Sequence, residues 1–161
     1  ITGTGTVKTL NADSALVNRG SIDPGQGSDL GMLTIDGDLS MADSGLLRIV
    51  LGNAGASDLL AVTGDALWNG RLDLWAKPGT QFHTGDAFTI ATYGTRLLGS
   101  SFDSFSWHGN AATQFAIEYS ADNITLRVTA VPEPATYALW ALGLALLGCS
   151  RRKLRGPNPS V

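Results

Sequence analysis

Leu33-Thr-Ile35-Asp-Gly37-Asp38-Leu39 is answered twenty-seven residues later by Leu60-Ala-Val62-Thr-Gly64-Asp65-Ala66, so that leucine, a β-branched residue, glycine and aspartate fall at equivalent places. A second pair, Gly45-Leu-Leu47-Arg-Ile49 and Gly70-Arg-Leu72-Asp-Leu74, is offset by twenty-five, and Phe88-Thr-Ile90 follows Leu60 by twenty-eight. Together these echoes make an imperfect repeat of about 26 residues, in the range typical of solenoids and arrays. Each unit reads as two short strands of period-two alternation, as in Leu47, Ile49 and Leu51, divided by Gly-Asp or Asp-Ser-Gly turns. One unit cannot bury its apolar face alone, so units stack, with Leu and Ile in rows and Gly and Asp at the corners. The expected fold is all-β: right-handed parallel β-helix-like repeats in which Leu33, Leu60 and Phe88 form one inward row and Ile35, Val62 and Ile90 another. A β-sandwich is the alternative, since short strands spaced by turn signals build that fold too.

Upstream of this core, Thr2 to Leu10 mixes β-formers with glycine and suggests a short strand, and Ala15 to Val17 a second. Asp23-Pro24-Gly25 is a turn in which proline fixes one φ and glycine takes the position other residues avoid. Gly3 and Gly5 cradle no phosphate, because neither a helix nor a lysine follows at the required spacing. Downstream of Tyr93 the spacing loosens and aromatics thicken, with Phe102, Phe105, Trp107, Phe115 and Tyr119. Phe115-Ala-Ile117-Glu-Tyr119 and Ile124-Thr-Leu126-Arg-Val128 alternate cleanly around Ser120-Ala-Asp-Asn123, which predicts a hairpin able to cover the open edge of the last repeat.

Thirteen acids against seven bases leave the chain before Val131 at −6, while four bases and Glu133 give the tail +3, which together make the net −3. An acidic body of this kind argues against nucleic acid as a partner. Twelve of those acids are aspartate and seventeen of the twenty glycines lie in the same stretch, so turns are frequent and elements short. Cys149 is the single cysteine, which excludes a disulfide within the chain.

The tail has its own organisation. Val131-Pro132-Glu133-Pro134 precedes sixteen uncharged residues, Ala135 to Ser150, and then Arg151, Arg152, Lys153 and Arg155. Sixteen residues make about 24 Å of helix, a short span against a hydrocarbon core of about 30 Å. Pro132 and Pro134 stop a helix on one side, and the cationic cluster on the other stays in the cytoplasm, which puts the body on the far face of the inner membrane. An exported chain that begins at Ile1 without a leader is expected to be the C-terminal part of a longer one.

A Val-Pro-Glu-Pro motif, an apolar helix with Gly143-Leu144 and a terminal Arg-Arg pair resemble the PEP-CTERM sorting signal of exported Gram-negative proteins, over about 25 residues from Val131 to Arg155. The resemblance implies that Pro132, Glu133 and Pro134 are recognised, and the chain cut near them, by the integral membrane enzyme exosortase. The inner membrane is then a transient partner, and association with exopolysaccharide and biofilm is implied as well. The tail from Leu154 onward runs past the point where many such signals stop. The repeats from Gly31 to Tyr93 resemble the passenger β-helices of autotransporter-like surface proteins.

Candidate sites for chemistry are few. His83 and His108 have no cysteine or acid at ligand spacing, which argues against zinc. The turns Asp23 to Asp29 and Asp36-Gly-Asp38 offer oxygens for calcium but match no calcium-loop pattern, so turn chemistry explains them better. No ordered catalytic signature is present, so no catalytic residue, metal or cofactor is assigned and the chain is expected not to be an enzyme. Trp68, Trp75 and Trp107 form either an aromatic row for sugars or core filling. The expected organisation is a repeat region over 1–93, a cap and hairpin over 94–130, the sorting signal over 131–155 with its span at 135–150, and a tail over 156–161. The function that follows is an exported surface or matrix structural protein. The alternative is the C-terminal stalk of a larger exported enzyme or carbohydrate-binding adhesin. Within the body, Leu60→Ala is expected to cost much more stability than Asp58→Ala, whose aspartate reads as a turn residue.

Overall fold

The computed structural model describes residues 1–9 and 14–131, and the expected sorting motif, membrane span and basic cluster lie outside these. Among the described residues no helix is long and apolar enough to cross a membrane. The body, 1–131, is all-β and winds into a parallel solenoid whose first three coils each carry three strands where the repeat predicts two. The first coil holds β1 (Gly5–Lys8), β2 (Leu16–Asn18) and β3 (Ser21–Ile22), and the second β4 (Met32–Asp36), β5 (Leu39–Met41) and β6 (Leu46–Leu51). The third holds β7 (Leu59–Val62), β8 (Ala66–Leu67) and β9 (Arg71–Ala76). A fourth follows with β10 (Ala87–Thr92), an isolated bridge of Arg96 to Ala66, and β11 (Ser104–His108). The strand missed in the second and third coils is β5 or β8, whereas in the first coil β2 answers the strand expected over Ala15 to Val17 and β3 is the one missed. Two or three residues are too few to display an alternation, and their pairing partners come from neighbouring coils.

Stacking turns the three strands into three sheets, β1-β4-β7-β10, β2-β5-β8 and β3-β6-β9-β11, all pairing in parallel. Leu33 lies on Leu60 and Ile35 on Val62, as the repeat requires. Ile22, Leu47 and Leu72 make another inward row, and Ile49 and Leu74 a further one. These side chains are buried and belong to one continuous core. Each fully buried aliphatic side chain contributes about 1.5–3 kcal/mol relative to exposure, so the rows are the main stabilising term.

The fourth coil departs from the expected phase. Ala91, not Phe88, sits on Leu60, and Thr92 on Ala61, an offset of thirty-one where twenty-eight was expected. Ten residues separate β9 from β10 against seven between β6 and β7, which gives β10 slack to slide. A bulge between Thr89 and Ala91 against the next strand then lets Phe88, Ile90 and Ala91 all be buried. The repeat also continues past Tyr93, since β11 pairs along its whole length with β9, Ser104 opposite Arg71.

The hairpin forms where it is expected, from β12 (Gln114–Tyr119) and β13 (Asn123–Ala130). Its β13 pairs antiparallel with β10, so the hairpin extends the first sheet at the last coil. Tyr93 donates its hydroxyl to Ser120 O and Asn123 O at 3.0 and 2.8 Å, pinning the hairpin turn. Beside it, Phe82 packs edge-on against Phe88, Trp107 and Phe115, so the aromatics thicken where the core ends.

Aspartate serves the corners differently from the local turn bonding expected of it. Asp38 Oδ1 accepts Asp65 N–H and Asp103 Oδ2 accepts Gly70 N–H, each at 2.8 Å and across to another coil. Asp58 is fully buried and accepts Gly31 N–H on one oxygen and Val50 N–H on the other, both at 2.8 Å. It is therefore a clamp between coils rather than an exposed turn residue. Gly25 is needed for room: a Cβ there would stand 2.6 Å from the Asp58 carboxylate and 2.4 Å from Asp29 O. Gly70 has φ of +71° and would carry a Cβ into Gly45 O at 2.3 Å, so two coils touch at backbone distance there.

Candidate functional site

On the third sheet, alternate residues of β6, β9 and β11 point outward. Arg48, Asp73 and Ser106 pair as one such row and Val50, Trp75 and His108 as the next. Asp23, just past β3, reaches the same patch, with Oδ2 3.6 Å from Arg48 Nη1. Arg48 Nε is 3.6 Å from Asp73 Oδ2. Trp75 Nε1–H donates to Asp73 Oδ2 at 2.9 Å, and His108 Nε2 meets Asp73 Oδ1 at 2.7 Å. Both Asp73 oxygens are thus engaged. Burial pushes its carboxyl up, but the bonds from Trp75 and His108, with the charges of His108 and Arg48, outweigh this and hold it below the ordinary carboxylate range. A carboxylate kept ionised is an acceptor, so His108 Nε2 carries the proton it shares with Asp73.

The rings stack. His108 lies over Trp75 with centroids 4.1 Å apart and planes 14° from parallel, and Arg48 Cζ is 5.6 Å from the Trp75 centroid. Trp75 nevertheless remains 40% exposed. Its open side faces a cleft of about 510 Å³ lined by Ser28, Arg48, Val50, Trp75, Pro78 and His108. Arg48 makes no hydrogen bond with any described residue, and its Nε is buried without a hydrogen-bond partner, the Asp73 carboxylate standing 3.6 Å away; Asp23 Oδ1 likewise has none.

The three tryptophans expected to form a row do not form one. Trp68 is fully buried against Tyr93 and Phe102, and Trp107 is half-buried beneath Phe82 and Phe115, so only Trp75 is presented outward. His83 is exposed, donates its backbone N–H to Asp86 Oδ2 at 2.7 Å, and does not line the cleft. His108 gains an acid thirty-five residues away, which sequence spacing does not reveal. The charged row had a signal that was passed over: Asp23, Arg48 and Asp73 are each twenty-five apart, the repeat's own step.

Of the Asp-rich turns, Asp36 pairs with Lys8 at 3.2 Å, Asp29 with Lys77 at 3.9 Å, and Asp38 clamps a corner. Among the described residues no three His, Cys, Asp or Glu side chains converge as a metal site. Pro132, Glu133, Pro134, Arg151, Arg152, Lys153 and Arg155 lie outside the described residues.

Residues 130–153 match a family model described as the PEP-CTERM protein-sorting motif. Among curated proteins no match to the chain is found. The signal marks a protein exported across the inner membrane to the cell envelope or extracellular space, with exosortase as its processing partner.

Proposed function

We propose that the solenoid body is a non-catalytic structural module of the cell surface or extracellular matrix, delivered and released through its sorting signal. The observation that carries this reading is the join of a stacked parallel solenoid to a sorting motif that begins at its last strand. A solenoid makes only nearest-neighbour contacts between coils, so it gives a stiff body of extended surface, suited to spacing or adhesion. Its acidic charge keeps it soluble outside the membrane. Exopolysaccharide is the partner this reading adds, and an adhesin is favoured over an enzyme's stalk by the open cleft beside Trp75.

Release follows from the tail's chemistry. Prolines on both sides of Glu133 supply no N–H and bias their predecessors away from helix, the backbone chemistry a membrane-embedded protease that grips an unpaired strand requires. Arg151, Arg152, Lys153 and Arg155 hold the other end inside. Glu133→Ala, expressed in a host with exosortase, is expected to leave full-length protein in the inner membrane while the unaltered chain is shortened. Mass spectrometry of the surface fraction decides this: peptides spanning Trp140 to Arg151 on released protein would contradict it.

A further inference from the structure

The geometry points to the Trp75 cleft as a binding site for a neutral saccharide chain. This deepens the surface-module reading and rests on it for the setting in which the ligand is met. Three observations select the ligand. The cleft is large enough for a small organic ligand, and joins apolar wall, from Val50, Pro78 and the exposed side of Trp75, to polar groups. A ligand with a C–H face and a hydroxyl rim matches that pairing, its C–H face packing on the part of the indole left exposed while hydroxyls bond at the edge.

The polar groups keep donors to offer. Arg48 is ion-paired with Asp23 and Asp73 at 3.6 Å but makes no hydrogen bond with any described residue, so its guanidinium keeps N–H donors for a ligand hydroxyl. Ser28, on the facing turn, adds a hydroxyl.

Charge excludes the other ligand classes. Arg48 lies 3.6 Å from carboxylates of both Asp23 and Asp73, so its charge is countered, and the body around the cleft is acidic. A polyanion is repelled by that body. An organic cation meets a like charge, the Arg48 guanidinium 5.6 Å from the Trp75 ring centroid. An uncharged polyol pays neither penalty. Asp73 is a positioning residue here: by holding Trp75 Nε1 and His108 Nε2 it fixes both rings side by side.

The test is a titration of the full chain, held in a detergent without a sugar headgroup, with cellohexaose, maltohexaose and mannohexaose, read by tryptophan fluorescence. Saturable binding of at least one of them is expected, weakened about tenfold or more by Trp75→Ala and less by Trp75→Phe. Ser28→Trp, which fills the cleft from an exposed turn, should abolish binding while circular dichroism is unchanged, and this covers the case in which Trp75→Ala disturbs the fold. Absence of saturable binding to all three, binding unaffected by Ser28→Trp, or tighter binding of polygalacturonate than of any neutral oligomer would overturn the proposal. Because the titration needs no export, its failure is separable from failure of the sorting test, and a positive result stands even if Glu133→Ala does not block processing.

Discussion

The second and third coils and the terminal hairpin use opposite means to the same end. In the coils, β4 to β9 find every partner in another coil, and Leu33, Ile35, Leu60 and Val62 are held by residues twenty-seven places away. In the hairpin, β12 pairs with a strand four residues off, and Glu118 and Arg127, nine apart, bond across it at 2.9 and 3.3 Å. No residue of β12 is fully buried, whereas every inward position of β6 is. Nearly all of the coils' stability is therefore long-range burial, while the hairpin's own strand contributes cover and local pairing. The comparison teaches why the chain stops its parallel stack with an antiparallel pair: the hairpin is able to form from its own turn and needs only one existing edge, that of β10.

The sharpest way to break this contrast is to remove equal amounts of side chain from each region. Leu60→Ala, between Leu33 and Ala91 in the core, is expected to cost about 2–5 kcal/mol, and Ile117→Ala on half-buried β12 less than half as much. Chemical denaturation of the two variants measures both, and equal losses would erase the distinction drawn between coil and cap.

A smaller effect sharpens how coils are joined. Asp58→Ala leaves two buried N–H groups without an acceptor, but it also removes a carboxylate that burial disfavours, so the net cost is expected at about 1–3 kcal/mol. That figure replaces the small cost a turn aspartate would carry. The same residue has a pH signature. Burial, only partly offset by the N–H bonds from Val50 and Gly31, raises its carboxyl above the ordinary value. A raised acid binds more protons folded than unfolded, so its contribution to stability falls as pH rises from about 3.9 toward the folded value. Asp58→Asn should remove that downward slope from a stability-against-pH curve, and an unchanged slope would assign it to another group.

The same contrast explains what could be read in advance. Rows such as Leu33 over Leu60 were legible because the second and third coils keep one spacing, and the hairpin was legible because its alternation and turn are contiguous. The register of β10 was not, since Phe88-Thr-Ile90 repeats the pattern of Leu60-Ala-Val62 three residues from where the backbone pairs. Identical alternation at two nearby offsets leaves the choice to loop length and to the bulge at Thr89 and Ala91. The Trp75 cleft was half legible. Asp23, Arg48 and Asp73 carry the repeat's step, but His108 enters through the fourth coil, thirty-three residues after Trp75, where that step no longer holds.

The most direct test of the parallel stack is a set of paired cysteines in a Cys149→Ser chain. Neighbouring strands lie about 4.7–4.9 Å apart, within the Cα separation a disulfide accepts, so directly paired outward positions should cross-link on mild oxidation. Ala61→Cys is expected to link with Thr34→Cys on one side and with Thr92→Cys on the other, and not with Thr89→Cys. Linkage of 61 with 89 in place of 92 would restore a uniform repeat and refute the shifted fourth coil, and failure of 61 to link with 34 would contradict the parallel solenoid itself.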